Sequence, residues 1–189
     1  MTMDLSAHNL TALFRAKTVA AAIVILSSSV AAFAEPAKLS IQSSDGIQEA
    51  QPIPKKFTAD GEDHSPSLSW SKVPAGTKSI AITLTDPDAP RGTWWHWILF
   101  NLRADLSRID RLEKSPTLAN GAIHGKNDFG KTGYNGPDPP PGKMHHYFYR
   151  VLALDIVLPL KPNCSKQEFN QAIQGHVLAE GDLVGTYQR

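Results

Sequence analysis

Pro87 and Pro90 sit three residues apart in a stretch, Ile82 to Leu102, that reads ITLTDPDAPRGTWWHWILFNL. Each proline fixes its own φ and removes a backbone donor, and each pushes the residue before it, Asp86 or Ala89, toward extended geometry. The β-branched run on one side and the aromatic run on the other both favour strands. A strand therefore enters, the chain is pinned, and a second strand leaves carrying His96. A carboxylate held at such a turn points in one direction. Asp86 is thus the first candidate site residue.

A second constrained segment, Gly133 to Tyr147, reads GYNGPDPPPGKMHHY. Its glycines and prolines make a loop that delivers His145, His146 and Tyr147 onto a further strand, Tyr147 to Ile156. A period of two places His145, Tyr147 and Tyr149 on one face, with His146, Phe148 and Arg150 on the other. The same period over the earlier strand puts Trp94, His96 and Ile98 on one side and Trp95, Trp97 and Leu99 on the other.

The N-terminus reads as a leader. Arg15 and Lys17 precede an apolar run, Val19 to Leu26, then Ser27 to Ser29 and a small-residue tail ending at Ala34. That is the pattern of a signal peptide over residues 1–34, cut near Ala34, which implies a periplasmic or secreted protein. The run is too short to span a bilayer, which takes about 20 residues. Residues 35–189 suffice for a single domain with its own core. The whole chain carries a formal charge of +1, and loss of Arg15, Lys17 and Asp4 with the leader leaves it neutral. A nucleic-acid partner would want a basic face and is not expected. Cys164 is the one cysteine, so internal disulfides cannot hold this domain together.

In chain order, Leu39 to Ile41 reads as a first short strand and Ile53 to Phe57 as an extended edge segment. Leu68 to Trp70 and the run Ser79 to Thr85 are strands, the latter buried on both faces. Ala104 to Thr117 reads as loop with a helical turn. Ser165 to Ala179 is the convincing helix, with Ser165 as cap, Glu168 completing a capping box, and Phe169, Ala172, Ile173 and Val177 at helical spacing. A short strand over Leu183 to Tyr187 follows. Many short strands and one late helix predict a mostly-β sandwich with peripheral helix.

Chemically, Asp86 and His96 are expected to meet, and His145 with the Tyr147 hydroxyl to complete a small donor-rich pocket suited to a phosphate or carboxylate. The alternative is a buried cluster that only fixes strand packing. A metal site built from His96, His145, His146, Asp86 and Asp88 is disfavoured because adjacent histidines on a strand face apart. A hydrolase is disfavoured because neither segment holds a serine or cysteine nucleophile. No cofactor is implied. Tyr134 either lines the pocket or staples its loop, while His64, His124 and His176 read as ordinary polar positions.

The two segments, together with Gly130-Lys131-Thr132-Gly133-Tyr134 and the loop Phe57 to Asp63, resemble the phosphatidylethanolamine-binding protein family, in particular its bacterial Raf kinase inhibitor-like branch. The resemblance covers nearly the whole chain after the leader. It implies a two-sheet β-sandwich with an anion pocket for phosphate-like headgroups, in a family of binders and of kinase or protease inhibitors. By motif it implies that Asp86, Pro90, Trp94, His96, Gly136, Pro140, His145 and Tyr147 form the pocket. It leaves a protein target open, and exposed edge strands admit a homodimer. One departure is His146, where the family often has arginine; facing away from the pocket, it should alter the other side of the sheet or a partner contact.

Overall fold

The β-branched run around Ile80–Leu84 becomes the centre of the larger of two sheets. The computed structural model describes residues 35–189, so the leader read over residues 1–34 lies outside the described residues. Along the chain come β1 (Ala37–Lys38), β2 (Ile41–Gln42), a 3-10 turn (Lys55–Phe57), β3 (Leu68–Trp70) and β4 (Ser79–Asp86). Then follow β5 (Trp94–Arg103), β6 (Arg108–Ile109), β7 (Ile123–His124), β8 (His145–Leu154), α1 (Lys166–Ile173) and β9 (Val177–Tyr187). Six strands form one sheet in the order β1-β9-β8-β4-β5-β7, and three form the other as β2-β3-β6. Among the described strands the pairings are antiparallel except β1 on β9.

Between the sheets lies the main core, where Leu84, Trp97 and Tyr149 meet Leu68, Trp70 and Ile41. A second cluster, with Ile98, Phe100, Leu152 and Phe169, seats α1 on the outer face of the six-stranded sheet. Since β4 is central and covered on both faces, nearly every residue of it is buried. The mostly-β, two-sheet architecture is the expected one.

Several local expectations are corrected. The helix stops at Ile173, because Gln174 is extended and Gly175 takes φ +79°, a left-handed conformation that glycine adopts without penalty. Its capping box is present as read: Glu168 N–H donates to the Ser165 hydroxyl at 3.2 Å and Ser165 N–H to Glu168 Oε2 at 2.7 Å. Val177 belongs to β9, an 11-residue strand where a short one was expected. Glu180 and Asp182 hid it, yet Asp182 is held by Arg150 of β8 at 2.7 Å. Lys55–Phe57 is a 3-10 turn and not extended, while Leu39 and Ser40 lie between two strands. Over 104–117 the expected turn is a single one, with Leu106 N–H donating to the Arg103 carbonyl at 3.2 Å, and the short strand β6 follows it where loop was expected.

The period of two also fails within β5. Leu84 pairs with Trp97 but Thr85 with Trp95, which leaves His96 as an extra residue, a bulge. Trp95 consequently packs beside Phe169 on the helix side, while Trp97 turns inward against Tyr134. His96 and Ile98 part in the same way: His96 meets Tyr147, and Ile98 lies in the helix-side cluster.

Candidate functional site

At the end of β4, Asp86 Oδ1 accepts from the Asp88 N–H at 2.9 Å, a local turn that Pro87 pre-sets. Because β4 and β8 run antiparallel, with Thr85 opposite Phe148, the end of one strand lies at the start of the other. Asp86 Oδ2 and His145 Nδ1 meet there at 2.8 Å, both side chains about 5 % exposed or less. The expected Asp86–His96 hydrogen bond is therefore corrected to Asp86–His145. His96 turns its Nδ1 to the carbonyls of Asn135 and Gly136, each at 3.0 Å. Asn127 braces that loop, donating to Asn135 Oδ1 at 2.8 Å and to the His96 carbonyl at 3.3 Å.

Asp86, Pro90, Trp94, His96, Pro140 and His145 line one cavity of about 230 Å³. That is room for a small polar group, below the usual size of drug-like sites. Gly136 lies behind the wall and acts through its carbonyl. Tyr147 lies behind it too, fully buried, stacked on His145 with ring centres 6.5 Å apart and edge-on to His96 at 5.4 Å. Its hydroxyl has no hydrogen-bond partner among the described residues. Burial, and then the nearby Asp86 charge, push its pKa well above the ordinary phenol value. The phenol therefore contributes an uncharged floor under the two imidazoles and does not reach the cavity surface.

Sequence reasoning missed Arg91, Phe129 and Asp138, which also line the cavity. Phe129 packs edge-on to both Trp94 and His96, at 5.4 and 5.2 Å. Its signal was present, an aromatic between Asp128 and Gly130, but nothing tied it to Trp94. Tyr134 is the staple: its hydroxyl donates to the Phe57 carbonyl at 2.7 Å and lies 3.0 Å from the Tyr149 hydroxyl. His146 points outward, with Nδ1 2.7 Å from Asp88 Oδ2, and so braces the pinned turn from outside. His124, read as an ordinary polar position, is buried, its Nδ1 2.6 Å from the Ser115 carbonyl.

Burial, opposed by the Asn135 carbonyl and the Asp86 charge, pushes the pKa of His96 below its usual value, which favours the neutral ring. His145 is the ring with a carboxylate directly against it. A proton added there makes a donor of Nε2 and neutralises Asp86. Among the described residues no three histidine, cysteine or acidic side chains converge as a metal set. A groove of about 380 Å³ on the outer face of the sheet, beside Trp95 and Phe169, has one cationic group, Arg150, already held by Asp182. The polar convergence is at the smaller cavity.

Residues 43–188 match the family model described as phosphatidylethanolamine-binding protein. A UPF0098 protein of Methanothermobacter thermautotrophicus is 46% identical over 138 residues, covering 72% of this chain and 91% of the relative. One from Pyrococcus horikoshii is 41% identical, over 80% of this chain and 78% of its own length. Among solved structures, Escherichia coli YbcL, described as a member of the mammalian PEBP family, is 33% identical with a TM-score of 0.75, covering 81% of this chain and 99% of YbcL. A phosphatidylethanolamine-binding protein homologue of Chlamydia trachomatis is 34% identical with a TM-score of 0.70, covering 82% and 99%.

Proposed function

The chain belongs to the phosphatidylethanolamine-binding protein family, and from that premise we propose that it is an exported, non-enzymatic binding protein whose small pocket takes phosphate-like headgroups. One observation carries the reading: the buried Asp86–His145 pair, 2.8 Å apart, set in the wall of a cavity that the two proline-rich turns hold open. With its proton, His145 donates to an anionic oxygen while Asp86 fixes the ring, and Arg91 adds a cation at the edge. Prolines on both turns limit the ordering that binding demands. Export rests on the leader pattern of residues 1–34. An exported chain is out of reach of a cytoplasmic kinase, so a small ligand is favoured over a kinase target.

Calorimetry with inorganic phosphate and phosphoethanolamine, on the parent and on Asp86→Ala and His145→Ala, tests this. Binding by the parent that is lost in folded variants is the expected outcome. Binding that persists in a folded His145→Ala protein would sink the proposed donor role of His145.

A further inference from the structure

The hydrogen-bond pattern of the two imidazoles specifies what kind of phosphate fits, an inference that rests on the anion-pocket reading. A carbonyl oxygen only accepts, so His96 Nδ1, 3.0 Å from two of them, carries the ring hydrogen. The neutral ring then presents Nε2 as a bare lone pair. By the same logic His145 gives its Nδ1 hydrogen to Asp86. Around these rings the ionisable groups are Asp86 from β4, Arg91 from the pinned turn, Asp138 from the proline loop and Tyr147 from β8. Asp138 is in turn paired with Arg189 at 2.5 Å. Protonating His145 relieves one lone pair. The other, on His96, remains, and an oxyanion without a hydrogen would be repelled by it.

We propose that His96 Nε2 accepts a hydrogen bond from a hydroxyl of the ligand itself, so that the pocket selects a singly protonated terminal phosphate, a phosphomonoester monoanion, over a phosphodiester. The monoester brings an oxygen that carries a hydrogen to His96 and an ionised oxygen to His145. A diester has no hydroxyl to give. The shared chemistry is the terminal phosphate, whether on a free metabolite or on a larger molecule. Burial, which lowers the pKa of His96 and so favours the neutral ring, works in the same direction.

The probes are phosphoethanolamine and glycerophosphoethanolamine, a monoester and a diester with the same amine, titrated at pH 5.5. The monoester should bind about tenfold or more tightly, the worth of one hydrogen bond to a charged ligand. Its affinity should fall once pH passes its second pKa of about 6. In His96→Phe, which keeps an aromatic ring but removes the acceptor, discrimination should collapse. Retained discrimination in a folded His96→Phe protein would mean that size excludes the diester, and would overturn the proposal. Should that variant not fold, the pH dependence of the parent decides, because a monoester bound equally well at pH 5.5 and pH 8 overturns it too. Equal binding of both probes by the parent refutes the selectivity and leaves the anion pocket standing. Binding of neither refutes both.

Discussion

Arg189 governs how acidic the rim of the pocket is. Its Nε lies 2.8 Å from Asp60 Oδ2 and its Nη1 2.5 Å from Asp138 Oδ1, so one guanidinium bridges two carboxylates from separate loops. Its hydrogen bonds, followed by that of the Tyr187 hydroxyl, pull the Asp60 carboxyl down to about 2. Asp138 lines the cavity, and left unpaired its charge would oppose an anion. Arg189→Met should therefore weaken phosphate binding by about two- to fivefold, the scale of a half-exposed ion pair. Asp138→Asn in the same chain should restore it, and calorimetry on the single and double variants checks both. If Asp138→Asn does not rescue, Arg189 acts through loop position and not through charge. No periodicity or motif exposes a bridge between residues 129 positions apart, such as Asp60 and Arg189. Asp86 and His145 could be found beforehand because prolines and glycines confine each to a turn or strand end. Their pairing could not, since Asp86 is as close in sequence logic to His96 as to His145 and only strand order decides between them.

At the scale of elements, the same limit recurs. A long β-branched run announced β4, and aromatic and aliphatic runs announced β5 and β8, because strand faces that pack into a core favour those residues. The bulge at His96 leaves no mark in composition, and yet it turns that ring toward Tyr147 and away from Ile98. Short or charged strands such as β6 and most of β9 are made by tertiary pairing, which a single sequence does not display. The loop that holds His96 depends on one close approach. A Cβ at Gly136 would lie 1.9 Å from the Phe57 carbonyl oxygen, a backbone atom with no freedom to yield. Gly136 N–H also donates to Asp63 Oδ1 at 2.6 Å, and its carbonyl holds His96. Gly136→Ala must then push the proline loop off the 3-10 turn, with a stability loss of about 1–3 kcal/mol, the range for overpacking. Urea denaturation reads that loss and titration with phosphate reads the weakened binding that should accompany it. Unchanged stability would show that the two loops are not held as tightly as this contact requires.

For the whole molecule, acid weakens the fold through its buried histidines. His96 and His124 are both buried, and burial holds each pKa below the ordinary 6.5. As pH drops through 6.5 the unfolded chain takes up protons at both positions before the native chain does. Stability therefore falls toward acid, by up to about 1.4 kcal/mol per pH unit for each ring. Asp60 acts in a separate window: its stabilisation is complete above the ordinary 3.8 and is lost as pH falls toward 2. A decline between pH 7 and 5 is thus attributable to the histidines. His124→Gln should flatten that decline without touching the pocket, since its ring lies at the Ser115 carbonyl, outside the cavity. Ligand binding opposes the trend, because phosphate stabilises the native state that it binds. Urea denaturation from pH 7.5 to 5, with and without millimolar phosphate, should show the decline in both series and a more stable protein in phosphate. Coincident curves would mean that phosphate does not bind the native state, and a parent protein whose stability rises toward acid would contradict the lowered pKa of the buried His96 and His124 rings.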